Sequence, residues 1–130
     1  MERICRSSGS EWEDKVGYSR VVRVEPFVEV AGTTAVDGAG EIQGKGNAYE
    51  QAAFIFRKIA GQLSAVGCPI SAVTRTRIFV TNINDWEAIG DAHKEFFGLT
   101  APVATMVEVQ RLIHPDLVVE IEVSAIVTKE

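Results

Sequence analysis

Between residues 47 and 67, apolar side chains recur at intervals of three and four: Ala52, Ile55, Phe56, Ile59, Leu63 and Val66. That spacing marks one face of an α-helix, and a helix carrying such a stripe must bury it against a second layer of structure. Asn47 followed by Glu50 reads as a capping box, and Gly67 as a left-handed stop. A second stripe, Trp86, Ile89, Ala92, Phe96 and Phe97, follows a second cap signature at Asn84 and Glu87 and ends at Gly98.

The segments around these helices have period two instead. Val21, Val22 and Val24 face Phe27, Val28 and Val30 across a turn at Glu25 and Pro26, the pattern of a hairpin. Residues 71–81 read as a strand with Arg75 and Arg77 on one face. After Pro102, Val103, Thr105, Val107 and Val109 point one way, and Ala104, Met106, Glu108 and Gln110 the other. Val118 to Val127 forms a last strand, with Glu120, Glu122 and Ser124 on one face. The order is ββαβαββ, an α+β class in which a mixed sheet carries two helices on one face. The opposite face mixes apolar groups with Arg and Glu, as expected where subunits meet around a small-molecule cleft.

A chain of 130 residues has room for one core. Residues 1–15 are expected to be a polar leader extended over the surface, with Trp12 as its anchor, and residues 16–130 a single domain. Hydrophobic residues make up 46% and charged residues 24%, which excludes a disordered chain. The net charge of -5 disfavours nucleic acid and anionic lipid as partners. Cys5 and Cys68 cannot build a disulfide framework and read as free thiols of a reducing compartment. The first residues lack the apolar core of a secretory signal, and no run reaches the roughly 20 apolar residues of a membrane helix. A cytoplasmic location is the expectation.

His93 and His114 lie far apart, with no HExxH or CxxC, so neither metal nor cofactor is expected. No GxSxG occurs, and neither cysteine has an activating histidine nearby in sequence. The glycines at 38, 40, 44 and 46 do not follow a phosphate-loop spacing. Glu120 and Glu122 are more informative, because carboxylates on an apolar central strand are costly without compensation. Arg75 and Arg77 on a neighbouring strand could neutralise them. Two readings stand: structural ion pairs at an oligomer seam, or a ligand site. The VAGTTA segment adds Gly32, Thr33 and Thr34, whose N–H and hydroxyl groups can hold a carboxylate or a polarised oxygen.

The ordered elements VGYSR, VAGTTA, RTRIFVTNINDW, AHKEFFG, APVATMVEV and VVEIE resemble the Rid family, also called YjgF/YER057c/UK114, across residues 16–128. The resemblance implies a chorismate-mutase-like fold and a homotrimer with three intersubunit clefts. In the best-characterised branch it implies hydrolysis of reactive enamines and imines to ketones and ammonia. The family tyrosine, cleft glycine and water-activating carboxylate fall on Tyr18, Gly32 and Glu120. The deaminase-branch arginine falls on Ala104, its helix asparagine on Gly90 and its serine on Ala31, so three polar positions are absent. His93 takes the place of a family aromatic.

The expected site therefore has Glu120 as the catalytic carboxylate. Tyr18, Gly32, Thr33, Arg75, Arg77, His93, Ala104 and Thr105 are its expected ligand-binding residues. The expected partner is a small imine, enamine or carbonyl metabolite, bound and hydrolysed, or bound by a noncatalytic member of the family.

Overall fold

A computed structural model describes residues 2–128 of the chain. Strands β1 (Arg3–Arg6), β2 (Val21–Val24), β3 (Phe27–Thr33), β4 (Val73–Val80), β5 (Val103–Glu108) and β6 (Val119–Ile126) form one sheet in the order β1-β2-β3-β6-β4-β5. Only β4 and β5 run parallel; every other pair is antiparallel, so the sheet is mixed. Helices α1 (Glu11–Val16), α2 (Ala48–Ala65) and α3 (Trp86–Phe97) complete the fold. The ββαβαββ core stands as read from the sequence.

The leader is different from its expectation. Residues 3–6 pair with β2, and residues 11–16 form a short helix capped by the Ser10 side chain. Ile4 is the one residue of β1 that packs against the core, so this strand carries almost no apolar signal for a sequence pattern to detect.

The α2 stripe behaves as its spacing demands. Ala52, Ile55, Phe56, Ile59 and Leu63 are fully buried against the sheet face formed by Val28, Val30, Ile78, Val80, Val119, Ile121 and Val123. Each large aliphatic or aromatic side chain in such a layer contributes roughly 1.5–3 kcal/mol. Asn47 accepts a hydrogen bond from the Glu50 backbone N–H at 3.0 Å, and Gly67 takes φ +71°. The second expected cap moves upstream: Asn82 accepts from the Asn84 N–H at 3.0 Å within a 3₁₀ turn over Ile83–Asp85. α3 then starts at Trp86 without a side-chain cap.

Phe56 joins the helices, with ring centroids 5.5 Å from Phe96 and 5.4 Å from Phe97. Truncating it removes the hub of the aromatic cluster and leaves a cavity. Phe56→Ala is expected to lower the unfolding free energy by about 3–5 kcal/mol, read from the midpoint of urea denaturation at unchanged slope.

Candidate functional site

The sheet face away from α2 and α3 presents Glu120, Glu122 and Ser124 from β6. Arg75, Arg77 and Phe79 of β4 are their register partners or neighbours. Val103, Thr105 and Val107 pair with Arg75, Arg77 and Phe79 and extend the same face. Because β6 lies between β3 and β4, its carboxylates occupy the middle of the sheet.

A bulge prepares the place for Glu120. Between the pairs Val30 with Val123 and Thr33 with Ile121, β3 has one more residue than β6, which bends the strand at Ala31 and Gly32. A Cβ on Gly32 would lie 2.2 Å from Glu120 Oε2. The missing side chain of Gly32 is therefore the space the carboxylate fills.

The two glutamates diverge. Glu122 Oε1 accepts from Arg77 Nη1 at 3.1 Å, a half-exposed pair of modest worth. Glu120 has no ion-pair partner among the described residues. It opens, with Phe79, Val109, Arg111, Leu112 and Glu122, onto a concavity of about 330 Å³. Burial raises the Glu120 pKa above the ordinary carboxylate value; the Arg20 cation pulls it back, and Glu122 pushes it further up.

Arg20 and its partner Glu13 carry no assigned role in the sequence reading. Arg20 is 5% exposed and Glu13 3%, and Arg20 Nε donates to Glu13 Oε2 at 3.0 Å. The same guanidinium donates through Nη1 to the Gly32 carbonyl at 2.6 Å and to Thr33 Oγ1 at 3.3 Å, and through Nη2 to the Tyr18 hydroxyl at 3.1 Å. Burial would raise the Glu13 pKa, but hydrogen bonds from Ser7, Ser8 and Arg20 prevail and hold it at about 2. The signal in the sequence is slender: Arg20 lies in the short irregular link between α1 and β2, where no periodicity marks a side chain as buried.

The expected residues do not form one cluster. Tyr18, Gly32 and Glu120 surround the bulge, linked through Arg20. Arg75 and Arg77 line an adjoining concavity of about 280 Å³ with Glu29, Glu122 and Ser124. Thr105 is exposed beside Arg77. Thr33 departs from its expected role: it is 1% exposed, and its hydroxyl donates to the Ala31 carbonyl at 2.8 Å, so it braces the bulge. His93 lies on the helix side of the sheet, bonded to Thr76 Oγ1 at 2.9 Å and packed on Phe56 and Phe97. Burial lowers its pKa. Ala104 pairs in register with Thr76 and is exposed near the same edge. Within one chain the sheet separates His93 and Ala104 from Glu120.

Two measurements follow from this geometry. A carboxylate depressed from 4.5 to about 2 adds stability that is complete above pH 4.5 and is lost as pH falls through the folded value. The unfolding free energy of the wild type should therefore drop between about pH 4.5 and 2, and Glu13→Gln should lack that component of the acid limb. Gly32→Ala should stay folded, because the obstructing atom ends a side chain that can swing. Its crystal structure should show the Glu120 carboxylate displaced from the bulge.

The family model described as Endoribonuclease L-PSP matches residues 9–127. An uncharacterised protein of Streptomyces coelicolor is 39% identical over 118 residues, which is 91% of this chain and 87% of that protein. The 2-iminobutanoate/2-iminopropanoate deaminase of Capra hircus is 28% identical over 73% of this chain and 69% of its own. Among solved structures, a YjgF/YER057c/UK114 family member from Mycobacterium tuberculosis superposes with a TM-score of 0.88 at 44% identity, covering 97% of this chain and all of that one. With both sequence and fold matched over nearly its whole length, the chain belongs to the Rid (YjgF/YER057c/UK114) family.

Proposed function

We propose that this protein binds a small imine, enamine or carbonyl metabolite in a cleft between subunits of a homotrimer, and hydrolyses imines there with Glu120 as the base. The observation that carries the reading is a central carboxylate seated over Gly32, facing a concavity and free of an ion-pair partner among the described residues. The goat relative's name as a 2-iminobutanoate/2-iminopropanoate deaminase supports the substrate class.

Glu120 in its ionised form accepts a proton from water while the water oxygen attacks the imine carbon. The C=N electron pair moves to nitrogen, which takes that proton from Glu120, giving a carbinolamine. Glu120, ionised again, accepts the hydroxyl proton as the carbonyl forms and the C–N bond breaks, and passes it to the departing nitrogen, which leaves as ammonia. A carboxylate whose pKa is raised by burial suits both directions of that transfer. Tyr18 lies beside the same bulge and supports substrate orientation.

A subunit boundary supplies what one chain lacks. Phe27 is 56% exposed, Val103 56%, Val107 43% and Ile126 40% on the open sheet face, an apolar surface of the kind oligomers cover. Native mass spectrometry should give three times the chain mass, and a Val107→Asp variant should shift it toward monomer.

Ala104 favours a second reading. Its methyl group offers no charge for a substrate carboxylate, so a noncatalytic metabolite binder of the same family would keep the cleft and lose the reaction. RNA cleavage, the activity in the family model's description, has less support, because the net charge is -5. Ammonia release from imines generated in situ decides between hydrolysis and binding. Glu120→Gln should lower the rate by about tenfold or more; equal rates for the two proteins, or binding without turnover, would overturn the catalytic assignment.

A further inference from the structure

We propose that Arg20, clamped by Glu13, is the positioning residue of this site: it fixes Tyr18 as a hydrogen-bond donor and holds Gly32 beneath the Glu120 carboxylate. The inference deepens the hydrolytic reading and rests on it for the role of Glu120. All three guanidinium nitrogens are engaged, Nε by Glu13, Nη1 by Gly32 and Thr33, and Nη2 by Tyr18. Four of its five N–H groups are thus committed to the protein, and Arg20 acts through these neighbours.

The direction of each bond matters. A phenol has one O–H to donate, and the Tyr18 oxygen accepts from Arg20 Nη2. A guanidinium cannot accept a hydrogen bond, so the Tyr18 proton turns away from Arg20 and toward the open side of a residue that is 36% exposed. The Gly32 carbonyl is occupied by Nη1 and does not compete with Glu120 as an acceptor. The resulting arrangement pairs one acceptor, Glu120, with one donor, Tyr18. That complementarity fits a substrate whose reacting nitrogen or oxygen gains negative charge while water loses a proton.

Glu13 makes the clamp possible. A buried arginine without an anion is strongly unfavourable, and Glu13 answers it while accepting from Ser7 Oγ at 2.6 Å and the Ser8 N–H at 2.9 Å. The β1 and α1 segments thereby connect to the site through charge. The charged and titratable groups around Glu120 are Arg20 and Tyr18 ahead of β2, Glu122 on β6, Arg77 on β4 neutralising Glu122, and Arg111 after β5. Of the cations, Arg20 is the buried one, so its removal should be felt most at Glu120.

The test reads the Glu120 carboxyl by carbon-13 NMR as a function of pH in ligand-free protein. Arg20→Gln should move the midpoint upward by about one pH unit, and Arg20→Lys, which keeps the charge, should recover at least half of that shift. If Arg20→Gln does not fold, the double variant Glu13→Gln/Arg20→Gln leaves no lone buried charge and should show a smaller shift in the same direction. A folded variant of either kind whose Glu120 titrates as in the wild type overturns the proposal. The measurement involves no substrate. A shift without imine turnover would count against the hydrolytic reading only, and turnover without a shift against the clamp only.

Discussion

A sheet covered by helices on one side buries alternate residues of every strand and leaves the others to find a different environment. That constraint organises this protein. Val119, Ile121, Val123 and Ala125 of β6 lie under the helices and are essentially inaccessible, whereas Glu120, Glu122 and Ser124 between them face the other way. The apolar half supplies the folding energy through α2 and α3. The polar half is then free to carry charge in the centre of the sheet, where desolvation gives a carboxylate unusual proton affinity.

The bulge in β3 and the buried ion pair translate that constraint into a local geometry. An extra residue at Ala31 and Gly32 breaks the regular ladder, and the absence of a Cβ at Gly32 admits Glu120 to the backbone. Arg20 then satisfies the Gly32 carbonyl that the bulge turns aside. Each feature compensates another: the bulge needs a donor, the donor needs an anion, and Glu13 provides it from the amino-terminal helix.

Much of this order was legible because it depends on periodicity. The α2 stripe, the Asn47 cap, the Arg75 and Arg77 pair and the alternation around Glu120 are patterns along the chain, and the fold realises them. The Asn84 cap stands two residues too late because Asn82 offers the same side chain and a 3₁₀ turn takes it. β1 escaped notice because a four-residue edge strand with one packed side chain, Ile4, has no pattern to read. Arg20 escaped for a different reason: a buried arginine and a surface arginine look alike until the fold places an anion and a carbonyl around one of them.

The amino-acid order alone thus determined which residues share a face, since the periods of helix and strand follow from local backbone geometry. Tertiary structure decided which of those residues meet. It joined Glu122 to Arg77, left Glu120 over Gly32, buried Thr33 inside the bulge and put His93 beyond the sheet, because strand order and register are set by packing among segments distant in the chain.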